Sequence, residues 1–240
     1  MKFKGWITLT GTLLVLAVTI ILLRTYQNTV PAYETYKVYE IGETIQFGNY
    51  DWRVLAIDGG YALVLKETVI TRQPYHHSQQ TITWEESSSR NWLNNDFIDN
   101  FSSQEQTRIR ETTIINNSNP WFGTNGGNNT TDRIFLLSID EAIKYLGDSG
   151  MMTLGIDENE RTANWPELGV HWWGIFDQYN TARVAYNASG WASWWWLRTP
   201  GLYADIAAII LTNGDLSVHG AAVNDSMAGG GLRPAMWISR

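Results

Sequence analysis

The stretch Trp52-Arg-Val-Leu-Ala-Ile-Asp-Gly-Gly-Tyr-Ala-Leu-Val-Leu65 decides the fold, because two apolar runs flank a strong turn signal. Asp58-Gly59 is a favoured pair for a tight turn, since both residues tolerate a positive φ. The sequence therefore predicts a β-hairpin with strands over residues 52–57 and 61–65. Residues 40–47 alternate imperfectly between polar and apolar side chains, which predicts a strand just before the hairpin.

The carboxy-terminal third also favours strands. Asn213-Gly214-Asp215 separates the apolar runs 206–211 and 216–219, and this pattern predicts a second hairpin. Residues 232–238 predict a final strand, interrupted by Pro234, which suits a sheet edge or a bulge. Strands at both ends with helices between them predict an α+β domain whose terminal strands meet in one antiparallel sheet.

Helices are predicted between these strands. Residues 87–97 and 103–111 place apolar side chains at helical spacing. Ser138 and Glu141 have the spacing of a capping box, which predicts a helix that continues to about residue 146.

The stretch before that helix contains two further features. Residues 116–132 are rich in Asn and Gly and are interpreted as a long polar loop. Residues 133–137 form a short apolar run and are predicted to be a strand.

The amino-terminal segment predicts a membrane anchor. Residues 7–23 are seventeen uncharged residues, and at 1.5 Å per residue they form a helix of roughly 26 Å, enough to span a thin bilayer. Lys2 and Lys4 precede the span and only Arg24 follows closely, which favours a cytoplasmic amino terminus. The chain then divides into a cytoplasmic tail (1–6), a signal-anchor helix (7–23), a stalk (24–37) and an extracellular α+β domain (38–240) of a single-pass cell-membrane protein. A cleaved signal peptide is the alternative, although no Ala-x-Ala-like site follows Leu23.

Composition excludes several classes of function. The chain after Arg24 carries 14 cationic and 24 acidic residues, a net charge of −10 that repels phosphate polymers. Nucleic acid is therefore not an expected partner. The absence of cysteine excludes disulfides, thiolate metal sites and a Cys nucleophile. We expect no cofactor and no metal site of this kind.

Two short segments carry a resemblance to a known family. Trp194-Trp-Trp-Leu-Arg-Thr-Pro-Gly201 and Gly231-Leu-Arg-Pro-Ala235 resemble the Trp-Leu-Arg-[Ser/Thr]-Pro-Gly and Gly-[Val/Leu]-Arg-Pro-Ala motifs of an uncharacterised bacterial domain family, often surface-exposed. The opening over residues 42–55 and Trp92-Leu93-Asn94 are also similar to that family, so the resemblance spans residues 40–239. The final hairpin and the Gly-x-Arg segment are similar to the formylglycine-generating-enzyme branch of the C-type-lectin-like fold. The resemblance thus implies a C-type-lectin-like α+β domain.

The enzymatic activities of that branch do not transfer to this chain. Its sulfatase-modifying enzymes use paired cysteines, and its sulfoxide synthases use a His-x-x-x-His-x-Glu helix, neither of which is present. What the resemblance implies is a binding role. Calcium-dependent lectins place Trp-Asn-Asp near their last strands, where this chain has Val223-Asn224-Asp225. A calcium site there is an alternative to an ordinary polar turn.

Tryptophan crowding predicts an aromatic ligand surface. Seven of the thirteen tryptophans fall between Trp165 and Trp196, and their faces can stack on sugar rings or peptides. Alternation predicts that Trp195 faces opposite to Trp194 and Trp196. The predicted ligand-binding residues are Trp172, Trp173, Trp191, Trp194, Trp195, Asn224 and Asp225.

The arginines of the two motifs have two interpretations. Arg198 and Arg233 pair with backbone carbonyls or an acid and hold the terminal strands in register, or they clamp a ligand carboxylate. We favour the structural role. His76-His77 is interpreted as a solvated pair, since neighbouring strand residues point to opposite faces. Residues 157–160 are interpreted as a surface acidic cluster.

These observations favour a membrane-anchored extracellular domain that recognises a glycan or a peptide without catalysis. One alternative is a cell-envelope hydrolase built on carboxylates such as Glu85-Glu86 and Asp140-Glu141, since glycosidases need two such groups. The other is a structural or regulatory partner of another membrane protein.

Overall fold

A computed structural model of the chain describes residues 38–152, 170–171, 174–226 and 230–240. The predicted span (7–23), the stalk (24–37) and the acidic cluster (157–160) lie outside these residues. Within the described part, no helix is long and apolar enough to cross a membrane. The described structure is mostly β with a few short helices, which confirms the predicted α+β class.

The strands are short, and most belong to two sheets. They are β1 (Thr44–Phe47), β2 (Tyr50–Asp58), β3 (Tyr61–Lys66), β4 (Thr68–Thr71), β5 (Thr112–Ile114), β6 (Thr130–Asp132), β7 (Val170–His171), β8 (Gly174–Ile175), β9 (Ala185–Asn187), β10 (Ala192–Pro200), β11 (Ile206–Ile210), β12 (Leu216–Ala222), β13 (Gly230–Leu232) and β14 (Ala235–Ser239).

A four-stranded sheet joins the two ends of the described domain. Its order is β1-β2-β3-β14, and every neighbouring pair is antiparallel. The last strand pairs with β3 from Ala235↔Leu65 to Ser239↔Tyr61. This pairing confirms that the terminal strands meet in one antiparallel sheet. An eight-stranded sheet has the order β13-β4-β9-β10-β11-β12-β8-β7, and β5-β6 form a separate pair.

Both predicted hairpins are confirmed. In the first, Asp58 pairs with Tyr61, so the two turn residues are Gly59 and Gly60 rather than Asp58 and Gly59. Gly59 takes a φ of +55°, a conformation that glycine adopts without steric cost. The second hairpin connects β11 to β12, and its Gly214 has a φ of +86°.

The predicted final strand is two strands in different sheets. Residues 232–238 are divided at Arg233-Pro234, with β13 in the eight-stranded sheet and β14 in the four-stranded sheet. Proline has no amide hydrogen and cannot extend a ladder, so the chain changes sheets there. The Pro234 carbonyl accepts a hydrogen bond from the Lys66 amide (2.9 Å).

The interpretation of residues 116–137 needs two corrections. Residues 130–132, predicted to be loop, form β6, and residues 133–137, predicted to be a strand, form no ladder. Instead, Phe135 exchanges two backbone hydrogen bonds with Ala235, and the Leu137 carbonyl accepts from the Arg198 amide. Backbone groups paired one at a time to different partners satisfy this buried stretch without a strand.

The helices found among the described residues are short. They are α1 (Ser88–Trp92), α2 (Ser103–Arg108), α3 (Ile139–Leu146) and α4 (Asn180–Arg183). A single 3-10 turn (Trp84–Glu86) precedes α1, and α1 continues through a π turn (Leu93–Phe97) and a second 3-10 turn (Ile98–Asn100). The predicted capping box at Ser138 is confirmed, and α3 ends at Leu146 as expected.

Arg108 contacts residues close to both ends of the described domain. Its Nη2 donates to the Ser239 carbonyl (2.7 Å) and to the Tyr39 hydroxyl (3.4 Å). Tyr39 itself is buried against the core. One arginine therefore connects the entry and the exit of the domain.

Candidate functional site

The tryptophans of β10 are mostly core residues. Trp195 and Trp196 have 0% exposure, so they offer no surface to a ligand, and Trp194 is partly buried. The rings of Trp194 and Trp196 pack edge to face at 5.0 Å, whereas the Trp195 ring lies 5.1 Å from the Arg233 guanidinium. This arrangement confirms the predicted alternation.

The other predicted ligand-binding residues lie on two turns or outside the described part. Trp191 is 74% exposed and belongs to the turn between β9 and β10. Asn224 and Asp225 follow β12, where the Asp225 amide donates to the Ala222 carbonyl, as in an ordinary turn. Trp172 and Trp173 lie outside the described residues. In the part of the chain that is described, no group of three His, Cys, Asp or Glu side chains could hold a metal ion.

The two motif arginines contact protein groups. Arg198 forms a bidentate pair with Glu141 and donates to the carbonyls of Leu136 (2.7 Å) and Ile115 (3.0 Å). Arg233 donates from Nε to the Lys66 carbonyl (2.8 Å). Both arginines are buried, and the contacts described here are to protein groups.

The carboxylates considered for a hydrolase also take part in structural contacts. Glu141 accepts from the Ser138 amide in addition to Arg198. Asp140 accepts from the Asn117 side-chain amide (2.8 Å), and Glu85 accepts from that of Asn128 (2.9 Å). Each of these three carboxylates is thus already engaged by a protein donor.

Ser88 and His76 have the contact expected of a nucleophile and a base. The Ser88 hydroxyl lies 2.9 Å from His76 Nδ1, and the pKa of His76 is lowered, first by burial and then by His77. However, the Ser88 amide donates to the same His76 nitrogen, and the Ser89 amide donates to the Tyr75 carbonyl. Neither of these two amides is free to stabilise an oxyanion, and the contacts described here are those of a local cap.

A pocket of about 460 Å³ lies where strands of both sheets meet the helical run that begins with α1. Residues 68–71 of β4 and Lys66 at the end of β3 contribute to its lining. Asn100 and Ala188 complete the rim, and Ala188 belongs to the same turn as the exposed Trp191. This volume lies within the range typical of small-ligand sites.

Three aromatic side chains, called here the aromatic wall, also line the pocket: Tyr50, Trp92 and Phe97. The Phe97 ring lies 5.4 Å from that of Tyr50 and 5.3 Å from that of Trp92, both at an angle of 34°. Trp92 is the last residue of α1, and Phe97 is the last residue of the π turn that follows it. A π turn is a feature that occurs frequently at functional sites.

The helical run has an identifiable anchor next to the aromatic wall. The Asn94 side chain accepts hydrogen bonds from the amides of Arg133 and Ile134 and donates to the Ile134 carbonyl. Leu93 is fully buried in the core. In Trp92-Leu93-Asn94, two residues therefore fix the helix and the first faces the pocket.

Lys66 provides the cationic group of the pocket. It is only 6% exposed, and its Nζ lies 5.1 Å from the centre of the Tyr50 ring. The ammonium donates to the Thr68 carbonyl (3.1 Å) and to the Thr68 hydroxyl. Burial lowers the pKa of Lys66, the Arg233 charge lowers it further, and Asp51 acts in the opposite direction.

Sequence reasoning missed this pocket because its residues come from separate segments. Tyr50, Lys66 and Trp92 belong to β2, β3 and α1, and nothing in their local spacing connects them. The one local sequence feature that includes a pocket residue is Trp92-Leu93-Asn94, in which a polar residue follows two large apolar ones.

Comparison with known proteins places this α+β domain in a family. Residues 59–240 match DUF6273, a domain of unknown function, and the chain belongs to that family. This confirms the expectation of an uncharacterised domain family. No curated protein and no solved structure matches the chain.

Proposed function

We propose that this domain is a noncatalytic recognition module that binds a small ligand, or the end of a larger one, in the pocket beside the aromatic wall. The predicted anchor at residues 7–23 would display it on the outer side of the cell membrane. The resemblance of the sequence to the C-type-lectin-like fold also supports a binding role. The ligand enters on the side of Asn100 and Ala188.

One observation carries this proposal: the pocket is lined by three aromatic side chains and one cation, and no carboxylate is among its described lining residues. Among the described residues that line it, none is Asp, Glu, His, Cys or Ser. Binding sites are commonly apolar pockets with a few placed polar groups. A carboxylate-based hydrolase needs two carboxylates flanking one bond, and the pocket lining supplies neither.

The test is titration calorimetry of the full chain in mild detergent against a panel of envelope saccharides and short peptides. We expect at least one class to bind and Trp92→Ala to weaken that binding by about tenfold or more, because a buried aromatic contact is worth over 1 kcal/mol. Tyr203→Ala removes an exposed ring outside the pocket and serves as the matched control.

A second variant guards against a folding defect in Trp92→Ala. Ala188→Trp places a large side chain at the exposed rim without removing any wall residue. It should block binding while the melting temperature stays unchanged. Binding that survives Ala188→Trp and Trp92→Ala but is lost in Trp191→Ala would place the ligand on the exposed turn and contradict the pocket.

A further inference from the structure

We propose that the pocket binds a short saccharide with a single carboxylate group. The carboxylate pairs with the Lys66 ammonium, and one face of the sugar ring lies against the aromatic wall. This inference rests on the proposed function and adds the chemical class of the ligand.

The charge of Lys66 calls for an anion. In the described part of the chain, no carboxylate forms an ion pair with Lys66, and its two hydrogen-bond acceptors both belong to Thr68. An ammonium carries three donors, so one remains for a ligand. A buried cation without an ionic partner is costly, and a ligand carboxylate at Nζ supplies that partner in a poorly solvated place.

The aromatic wall favours a saccharide as the carrier of the carboxylate. Phe97 is buried and packs against both Tyr50 and Trp92, whose partly exposed rings offer apolar surface to one side of a pyranose. Thr68, Thr71 and Asn100 add hydroxyl and amide groups to the lining, which suit sugar hydroxyls.

A peptide is disfavoured by the sheet. Extended peptides commonly bind by adding a strand to an open sheet edge. Strand β4 lines the pocket, but it lies between β13 and β9 in its sheet and is not an edge strand. A peptide in this pocket would have no strand partner for its backbone amides.

The electrostatics favour one negative charge. Lys66 is the only cationic side chain among the lining residues described, whereas phosphate sites use several donors or a fork of Arg. The chain after Arg24 carries a net charge of −10, which opposes the approach of polyanions. A terminal acidic sugar carries the one negative charge that a single lysine can pair with, and it is not a polyanion.

The test compares acidic and neutral twins by calorimetry on the full chain in mild detergent. One arm sets methyl glucuronide against methyl glucoside, and the other sets N-acetylmuramic acid against N-acetylglucosamine. The two comparisons distinguish between two sources of the carboxylate. In the glucuronide it is a uronic acid group, and in N-acetylmuramic acid it belongs to a lactyl ether. We expect the acidic twin of at least one arm to bind about tenfold tighter or more, since a charge-assisted hydrogen bond contributes that much.

Two lysine variants test whether the preference for the acidic sugar is due to Lys66. Lys66→Met keeps an unbranched side chain that is one atom shorter and removes its charge, so the preference for the acidic twin should disappear. Lys144→Met makes the same change in net charge at an exposed position on α3, outside the pocket, and should leave the preference intact.

The pH dependence provides a second readout. A bound carboxylate stabilises the ammonium form, so affinity for the acidic twin should fall as pH rises through the pKa of free Lys66, which burial has lowered. Lys66→Arg keeps its charge at alkaline pH and should show a flat profile. The neutral twin should show no such fall.

Each contrary result has a definite meaning. Equal binding of both twins, abolished by Ala188→Trp, would overturn the acidic ligand and leave the proposed recognition function standing. A preference that survives Lys66→Met would overturn the assignment to Lys66. Binding of a short peptide but of neither sugar, lost in Trp92→Ala, would overturn the saccharide and keep the pocket. If no panel member binds, both proposals fail.

Discussion

At the scale of single residues, buried polar side chains connect segments that are far apart in the sequence. Arg198 on β10 reaches Glu141 on α3 and the carbonyls of Ile115 and Leu136. Tyr75 donates from its hydroxyl to the Arg198 carbonyl (3.0 Å), and its ring packs between those of Trp84 and Trp196. Together these contacts explain why an arginine stands inside a buried Trp-rich strand.

Removal of the Arg198 charge should be costly. We expect Arg198→Met to lower the free energy of unfolding by about 3 kcal/mol, because buried carbonyls lose their donor and Glu141 loses its partner. Arg53→Met breaks a comparable bidentate pair with Glu67, but Arg53 is one-third exposed, so its cost should be about 1 kcal/mol or less. Urea denaturation measures both, and equal costs would contradict this account of Arg198.

Tyr75 should make the fold sensitive to alkali. Burial raises the pKa of Tyr75, with Arg198 opposing it, so the folded state keeps the proton that the unfolded state loses near pH 10. The free energy of unfolding should therefore fall above about pH 10, by up to about 1.4 kcal/mol per pH unit.

Tyr75→Phe isolates that contribution. At neutral pH it should cost about 1 kcal/mol for the lost hydrogen bond, and above about pH 10 its stability should decline less steeply than that of the wild type. Tyr203→Phe, at an exposed ring, should leave the slope as in the wild type. Urea denaturation from neutral to alkaline pH measures both, and parallel slopes for Tyr75→Phe and the wild type would refute the role of Tyr75.

At the scale of elements, helix α3 shows how a local signal and packing act together. The Ser138 hydroxyl accepts from the Glu141 amide (3.1 Å), and the Glu141 carboxylate accepts from the Ser138 amide (3.0 Å). The same helix buries Ile139, Ala142 and Leu146. Helix α2 has an equivalent capping box at Ser102 but buries no residue.

This difference predicts unequal effects of one substitution. Ser138→Ala should cost about 1 kcal/mol of global stability, because α3 is part of the core. Ser102→Ala should mainly fray α2, with a smaller effect on global unfolding. Hydrogen exchange of the helix amides together with urea denaturation distinguishes the two, and a larger global cost for Ser102→Ala would count against this view.

The elements that the sequence predicts correctly are those with local signals. The hairpin turns have glycines that accept positive φ, and α3 has its capping box. Residues 133–137 are apolar, which predicts a strand, but their backbone partners are Asn94, Ala235 and Arg198, which no local pattern identifies. The crowding of tryptophans predicted a ligand surface, yet β10 is an interior strand with neighbours on both sides and buries Trp195 and Trp196.

At the scale of the whole molecule, the last strand closes the four-stranded sheet. Strand β14 pairs with all but one residue of β3, and its Ala235, Met236 and Ile238 are fully buried. Single bridges from Ile109 and Phe135 also end on this strand. The pocket likewise depends on the assembly of the whole domain, because β2, β3, β4 and the helical run form it only after both sheets have assembled.

Truncation tests this dependence. A chain that ends at Arg233 lacks β14, leaves the β3 ladder unpaired and exposes the core, so we expect no cooperative thermal unfolding transition. A chain that lacks only Arg240 loses the hydrogen bond from its amide to the Gly60 carbonyl and should unfold cooperatively. Calorimetry reports both, and a cooperative transition in the shorter chain would show that β14 is dispensable.

The contacts of Tyr39 and Ser239 with Arg108 have a consequence for how the connectivity of this chain can be changed. Because the entry and the exit of the domain lie side by side, a short glycine-rich linker from residue 240 to residue 38 would close the backbone into a ring. Cutting that ring at the exposed Asn213 turn gives a circular permutant with every strand intact. Such a permutant should fold, and it could be attached to a surface at the β11–β12 end.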